Sequence, residues 1–283
     1  MSGFLIVDKP KGITSHDVVS VVRELLPKRI KVGHSGTLDP LATGVLILAV
    51  GKATRLSEYL LKQDKCYLVK GQFGLESETY DADGDVREVE CREVEEEELL
   101  KALQKFKGEI EQVPPPYSAV RIKGKRAYEL AREGKKVELP PRRVKIHSIE
   151  LVDFSYPTFT LEVCCSSGTY IRSLIHDIGK ELSCSAIVVE LRRTKVGQIT
   201  QEKVISLDRL KEEGVEKFLI PPQEVLPFPK VELKGEEARR FKGGAPVKVG
   251  ELPQGRYSVL EGERFIGVGI VEKGRLRPEK VLA

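Results

Sequence analysis

The residues with the most chemical content sit together at positions 33–44, Gly-His-Ser-Gly-Thr-Leu-Asp-Pro-Leu-Ala-Thr-Gly. Glycine at this density lets the backbone turn sharply or approach a ligand closely. Pro40 pushes Asp39 out of the helical region into an extended conformation. The apolar run Val45-Leu46-Ile47-Leu48-Ala49-Val50 follows directly and reads as a buried strand. A carboxylate anchored to the core in this way is placed to act as a nucleophile or a base. The same pattern also suits an ordinary turn, in which Asp is a routine former. Taken alone, the loop leaves both readings open.

Further segments narrow the choice. Val7-Asp8-Lys9-Pro10-Lys11-Gly12 precedes the loop, and Tyr67, Gly74 and Thr79-Tyr80-Asp81-Ala82-Asp83-Gly84 follow it. Then come Pro114-Pro115-Pro116-Tyr117-Ser118-Ala119-Val120 and Arg126-Ala127-Tyr128. Ser167-Gly168-Thr169-Tyr170-Ile171-Arg172-Ser173-Leu174 and Leu191-Arg192-Arg193-Thr194 complete the set. In this order they resemble the motifs of the TruB-type pseudouridine synthases, which make pseudouridine in the T-loop of tRNA, at tRNA position 55. Segment 33–44 is similar to the aspartate motif of that family, segment 7–12 to its Lys-Pro motif, and the prolines with Tyr117 and Tyr128 to its RNA-gripping insertion. The resemblance runs in register from about residue 3 to about residue 200. Ser77 stands where the family more often has Thr, and the hydroxyl is retained.

The resemblance implies a role for each matched position. Asp39 is the catalytic carboxylate, and Arg172 is the guanidinium that pairs with it. Tyr67 is the tyrosine that lies against the target base and can shuttle a proton. His34 stacks in the space that a flipped uridine leaves. Tyr170 and Leu191 line the base pocket, and Lys9 with Pro10 supports the motif loop.

The chemistry explains why so few groups are needed. Making pseudouridine breaks the N1–C1′ bond, turns the base over and joins C5 to C1′. No redox step occurs and no atoms are added, so neither cofactor nor metal is expected. Asp39 has to be ionised in a largely dry pocket, where desolvation favours the neutral acid. A buried cation must therefore stand beside it, and a guanidinium can do so through two hydrogen bonds. Arg172 falls at the start of a predicted helix, where the helix dipole disfavours a cation; that misplacement independently suggests another duty. Whether Asp39 attacks C1′, adds to C6 or removes the C2′ proton stays open. A uridine inside a folded T-loop must also be flipped out to be reached.

The elements that hold these side chains follow from hydrophobic period and punctuation. Gly3-Phe4-Leu5-Ile6-Val7 reads as a first strand. Ser15 is the expected N-cap of a helix through Leu26, with Val18, Val19 and Val22 inward. Thr54 is expected to cap a helix over 55–62, and 66–73 alternates like a strand. A helix is predicted over 93–106 with its glutamates at the N-terminal end, where the dipole favours them. Paired strands are expected at 145–154 and 158–165, a helix at 170–181 and a strand at 186–191. The expected fold class is α+β: a mixed, largely antiparallel sheet with flanking helices, plus a small C-terminal β-barrel.

Charge is unevenly spread. Between Arg121 and Ile146 ten Lys/Arg face three Glu, a local +7 against a whole-chain +4. Prolines bound this segment, about 113–146, on both sides. Local charge this uneven is the electrostatic footprint of a phosphate binder. Lys123, Lys125 and Arg126, interleaved with Tyr117 and Tyr128, are the predicted grip on RNA. The proline cluster at 221–229 predicts a boundary between a catalytic domain at 1–226 and a second domain at 227–283. The second has short strands and glycine-rich turns, and by position it resembles the PUA domain that follows the catalytic domain in this family.

Composition excludes other classes. No apolar run approaches the ~20 residues of a membrane helix, and residues 3–7 are too short for a signal-peptide core, so the cytoplasm is the expected location. Five cysteines without a Cys-x-x-Cys pair predict neither a disulfide framework nor a zinc site, with Cys164 and Cys165 as small buried hydrophobes. Four scattered histidines predict no metal. The absence of Trp, the single Met and the many Lys and Glu resemble a thermophile's composition. The expected partner is the tRNA T-stem-loop, met by a monomer that needs no other protein. The alternatives are a non-catalytic tRNA-binding or tRNA-folding protein, a guide-RNA-dependent synthase with accessory proteins, and a glycosyl-transfer enzyme on small molecules. The last normally wants a second carboxylate and leaves the basic segment without a purpose.

Overall fold

The computed structural model describes residues 1–118, 121–122, 125–134 and 139–282. The chain runs β1 (Gly3–Lys9), α1 (Ser15–Glu24), β2 (Val32–His34), β3 (Thr43–Val50), α2 (Ser57–Leu61) and β4 (Lys65–Phe73). It continues with β5 (Leu75–Glu76), β6 (Arg87–Glu88), α3 (Glu96–Lys105), β7 (Gly108–Gln112), β8 (Arg121–Ile122), β9 (Lys125–Arg126) and α4 (Ala127–Arg132). Then follow β10 (Arg142–Ser155), β11 (Thr158–Cys165), α5 (Ile171–Glu181), β12 (Ala186–Val196), β13 (Ile199–Thr200) and α6 (Leu207–Glu213). The last elements are β14 (Lys230–Glu232), α7 (Gly235–Lys242), β15 (Val247–Lys248), β16 (Gly255–Glu261), β17 (Arg264–Glu272) and β18 (Arg275–Val281).

One large sheet has the order β1-β3-β12-β4-β11-β10-β7, with β2 on β3 and β13 on β12. All its pairings are antiparallel except the short parallel step from β12 to β3, where Arg192 meets Thr43 and Arg193 meets Gly44. That step sits where segment 33–44 enters β3, so the aspartate loop is tied to the middle of the sheet. Helices α1, α3, α5 and α6 cover one face through Val18, Val22, Leu99, Leu103, Leu174, Ile175, Ile178 and Leu210, all fully buried. The mixed, largely antiparallel sheet with flanking helices that the resemblance implies is the fold observed.

The local differences have local causes. Thr14, not Ser15, caps α1: its hydroxyl accepts from the Asp17 amide, and the Asp17 carboxylate accepts from the Thr14 amide, a closed capping box. Ser15 turns inward instead, towards Leu38. Thr54 caps nothing; it lies inside a 3-10 turn, Gly51–Leu56, and its hydroxyl donates to the Gly51 carbonyl before α2 begins. The predicted strand at 186–191 extends to Val196 because β4 pairs with it throughout.

The expectation of unpaired cysteines is overturned. Cys66 on β4 and Cys164 on β11 are register partners with Cα atoms 4.1 Å apart, and they are joined in a disulfide. Cys91 and Cys184, with Cα atoms 5.3 Å apart, form a second one. Sequence spacing could not show this, because the partners are 98 and 93 residues apart and meet only through the sheet. Cys165 is the free thiol, and burial pushes it up to about 11.

The C-terminal unit is a five-stranded sheet, β14-β16-β17-β18-β15, wrapped on α7. Ala238 and Phe241 of α7 fill its core with Val259, Ile266, Val271 and Leu276. It docks against β1 and β3 through Val268 and Leu282, which share a cluster with Phe4, Ile6 and Ile47. No helix among the described residues is long and apolar enough to cross a membrane.

Candidate active site

Segment 33–44 is held from three sides, each time by a buried polar side chain bonded to its backbone. Ser15 Oγ donates to the Leu38 carbonyl (3.0 Å) and accepts from the Leu38 amide (2.8 Å). Lys9, at the end of β1, is fully buried and donates from Nζ to the carbonyls of Ile13 (2.6 Å), Pro10 (2.8 Å) and Pro40 (3.2 Å). Burial pushes its ammonium down to about 8, with Asp39 pulling the other way. Arg193, on β12, donates to the carbonyls of Val45 (2.8 Å), Gly36 (3.1 Å) and Thr37 (3.4 Å). Gly44 completes the joint. Its φ is +100°, and a Cβ there would sit 2.2 Å from the Arg193 carbonyl oxygen, so no side chain fits.

The clamped loop presents Asp39 to Arg172, the second residue of α5. Nε of Arg172 donates to Asp39 Oδ2 at 2.8 Å and Nη2 donates to Oδ1 at 3.1 Å, a fork on a carboxylate. Two of the three remaining guanidinium hydrogens go to the carbonyls of Thr79 (2.9 Å) and Tyr117 (3.0 Å). Asp81 Oδ2 lies 3.8 Å from Nε, and its carboxyl is buried. Burial pushes the Asp81 acid up while Thr79 and Arg172 oppose the shift. The Arg172 side chain is 6% exposed and that of Asp39 35%. The acid is therefore wetter than the dry pocket expected from sequence, because it sits at the mouth of the cleft and only its partner is inside.

That cleft encloses about 300 Å³ and is walled by Asp39, Arg172, Tyr67, Tyr170, Leu191 and the Gly36–Thr37 backbone. Tyr67 is buried on β4, and its phenol is pushed up by that burial. Tyr170 is pinned through its backbone: its amide donates to Gln112 Oε1 (2.7 Å) and its carbonyl accepts from Gln112 Nε2 (3.0 Å). The arrangement is a slot with a carboxylate at its edge, the side chains of Tyr67, Tyr170 and Leu191 on its walls, and the basic residues Arg172, Arg193 and Lys65 around it.

Comparison with known proteins gives the family. The family model described as TruB family pseudouridylate synthase (N terminal domain) matches residues 23–171. Models of the tRNA pseudouridylate synthase B C-terminal domain and of the pseudouridine synthase II TruB C-terminus match 172–221 and 229–282. A protein named tRNA pseudouridine synthase B from Aquifex aeolicus is 43% identical over 100% of both chains. The chain belongs to the TruB family of pseudouridylate synthases. Another protein of the same name, from Clostridium kluyveri, is 39% identical over 95% of this chain and 96% of its own. Among solved structures, a chain of an H/ACA RNP bound to a substrate RNA containing 2′-deoxyuridine superposes with a TM-score of 0.74 at 27% identity, covering 99% of this chain and 85% of that one. A chain of a Cbf5-Nop10-Gar1 complex gives 0.74 at 29% identity, over 99% and 84%.

In this TruB-family chain the predicted residues fall into four groups. Asp39, Tyr67, Tyr170, Arg172 and Leu191 meet around the cleft. Lys9 lies behind the loop, and Pro10 is exposed with its carbonyl on Lys9. His34 ends β2 and is not among the lining residues; its Nδ1 is buried without a partner among the described residues, and burial lowers its basicity. The basic insertion contributes Arg126, exposed, with Nη1 donating to the Tyr128 hydroxyl at 3.2 Å. Lys125 pairs through its backbone in β9 with β8, and Lys123 lies outside the described residues. Sequence reasoning missed Asp81, Gln112, Lys65 and Arg193. Arg193 carried a signal: it is two residues after the inward Leu191 on one strand, so period two already put its guanidinium on the buried side.

Proposed function

We infer that this TruB-family synthase isomerises uridine to pseudouridine in tRNA, at the T-loop position 55, with Asp39 as its catalytic carboxylate. The observation that carries this is the forked Arg172–Asp39 pair at the edge of a base-sized slot. Arg172 holds the Asp39 carboxylate in a fixed direction through two hydrogen bonds, so the acid can act on the ribose or the base without a cofactor. Tyr67 lies against the base, and Tyr170 and Leu191 flank it. The target nucleotide has to leave its stack to enter the slot, and His34, on the same segment as Asp39, fills the space it leaves. The +7 charge around residues 121–146 supports direct capture of tRNA by a monomer, with Lys123, Lys125 and Arg126 on phosphates. The tRNA named for the curated relatives supports the substrate class. We assign 1–226 to catalysis and 227–283 to a PUA-like RNA-binding domain, in an enzyme of the cytoplasm.

The test uses the purified protein, without additions, and a T-stem-loop RNA carrying C5-tritiated uridine. The wild type releases label to solvent. Asp39→Asn binds the same RNA with little change and releases none. Turnover by Asp39→Asn near the wild-type rate would remove Asp39 from the mechanism. Binding without any release by the wild type favours the non-catalytic reading.

A further inference from the structure

The cleft holds two cations that pair with no acid among the described residues. Arg172 is met by Asp39 and approached by Asp81. Arg193 and Lys65 line the same cleft, are 1% and 8% exposed, and have no carboxylate within ion-pair distance among the described residues. Three of the five Arg193 donors go to the carbonyls of Val45, Gly36 and Thr37, and the guanidinium also faces the Tyr67 phenol. Lys65 Nζ gives two of its three donors to the carbonyls of Gln63 (2.7 Å) and Leu61 (3.0 Å). A buried charge without a counter-ion is costly to the fold. Two in one slot fit a site where the negative charge arrives with the substrate.

The RNA phosphates are the wrong source, because the slot beside Tyr67 takes a base and leaves the backbone outside. The reaction supplies another. When the N1–C1′ bond breaks, its electron pair leaves on the base, giving a uracil anion with charge spread over N1, O2 and O4. C1′ is left electron-poor; Asp39 either captures it or takes the C2′ proton. Return of the pair through C5 forms the C5–C1′ bond as the Asp39–C1′ bond breaks or the C2′ proton is given back, and the C5 proton is lost while N1 gains one. Resting on the pseudouridine-forming reading above, we propose that Lys65 and Arg193 are the cationic floor of the slot and hold the detached base as its anion while it turns. Fixed donors aimed at developing charge are the usual means of lowering such a barrier. Burial, with Arg193 beside it, pushes the Lys65 ammonium down to about 8, so an arriving anion meets a cation that the fold leaves undersatisfied.

Single-turnover rates and RNA Kd are measured for the wild type, Lys65→Gln and Lys65→Arg on the T-stem-loop. Lys65→Gln slows the reaction about 10²-fold with Kd nearly unchanged, and Lys65→Arg, which keeps the charge, recovers most of the rate. The same variants are then run with 5-fluorouridine at the target position, scoring loss of the N-glycosidic nucleoside. Its base is the stronger acid and its anion needs less help, so the Lys65→Gln deficit shrinks by about tenfold. A merely structural lysine gives the same deficit on both bases, and that result overturns the proposal. A defect in Kd with normal rate also overturns it and makes Lys65 a phosphate contact. Wild-type turnover with an unimpaired Lys65→Gln sinks this inference alone, whereas a wild type that makes no pseudouridine sinks the underlying reading with it.

Discussion

At the scale of single residues, the site is a charge problem solved by backbone carbonyls. Arg172 touches one carboxylate and two carbonyls, so its position is fixed by four hydrogen bonds. A lysine there offers a point charge in place of a fork. Arg172→Lys is therefore expected to keep the fold and lose about 10²-fold or more in single-turnover rate, read on the tritiated stem-loop. Lys9 and Lys65 allow a second check. Both ammoniums are pushed down by burial to about 8, from 10.5. A folded-state value below the unfolded one means that, between about pH 8 and 10, the unfolded chain binds more protons. Stability should rise with pH across that window, by roughly 2 kcal/mol per lysine. Urea denaturation at pH 7.5 and 9.5 reads it, and Lys65→Met should lose its share of the rise. A flat profile would mean that water reaches both ammoniums.

At the scale of elements, the decisive joint is the short parallel step between β3 and β12. It puts Arg193 under the aspartate loop and leaves no room for a side chain at position 44. Gly44→Ala combines a positive φ with a backbone clash, and is expected to cost about 3 kcal/mol or more. Guanidinium denaturation measures it; a loss below 1 kcal/mol would show that the two strands can separate there. Strands β8 and β9 pair just before α4, and this part of the chain reaches the site through Ala127 and Leu139, which pack on Tyr170. Neutralising Lys123, Lys125 and Arg126 together should weaken tRNA binding and lower the slope of log K against log salt by roughly 2. An unchanged slope would turn the insertion away from the RNA.

At the scale of the whole molecule, two disulfides and a docked C-terminal unit tie distant parts together. The C-terminal strand β18 is bonded to the segment around α2, where Arg55 Nη1 donates to the Val281 carbonyl (2.7 Å) and the Tyr59 hydroxyl to Glu279 (2.6 Å). Each disulfide closes a loop of nearly 100 residues, worth about 2–4 kcal/mol by restricting the unfolded chain. Adding a strong reductant should lower the melting temperature by roughly 5–15 °C. Cys91→Ser with Cys66→Ser should melt at the reduced value with or without it. A melting point indifferent to reductant would mean that the cross-links carry no stability.

Much of this protein could be read from its residues alone. The aspartate loop, the buried strand after it, the amphipathic α3 and α5 and the C-terminal β unit are local patterns: period, capping and turn chemistry act over a few residues. The pairing of Asp39 with Arg172 was legible only through resemblance, since the two are 133 positions apart. What no local pattern could show is which polar groups share a cavity. Asp81 beside Arg172, Lys65 and Arg193 beneath the slot, Ser15 turned from cap to clamp, and Cys66 facing Cys164 are all consequences of strand order and register. A one-residue change of register would send the strand residues among these, Lys65, Cys66, Cys164 and Arg193, to the opposite face of the sheet. The chemistry was written in residue types; the field that directs it exists only once long-range pairing has brought charges of distant origin into the same few hundred cubic ångströms.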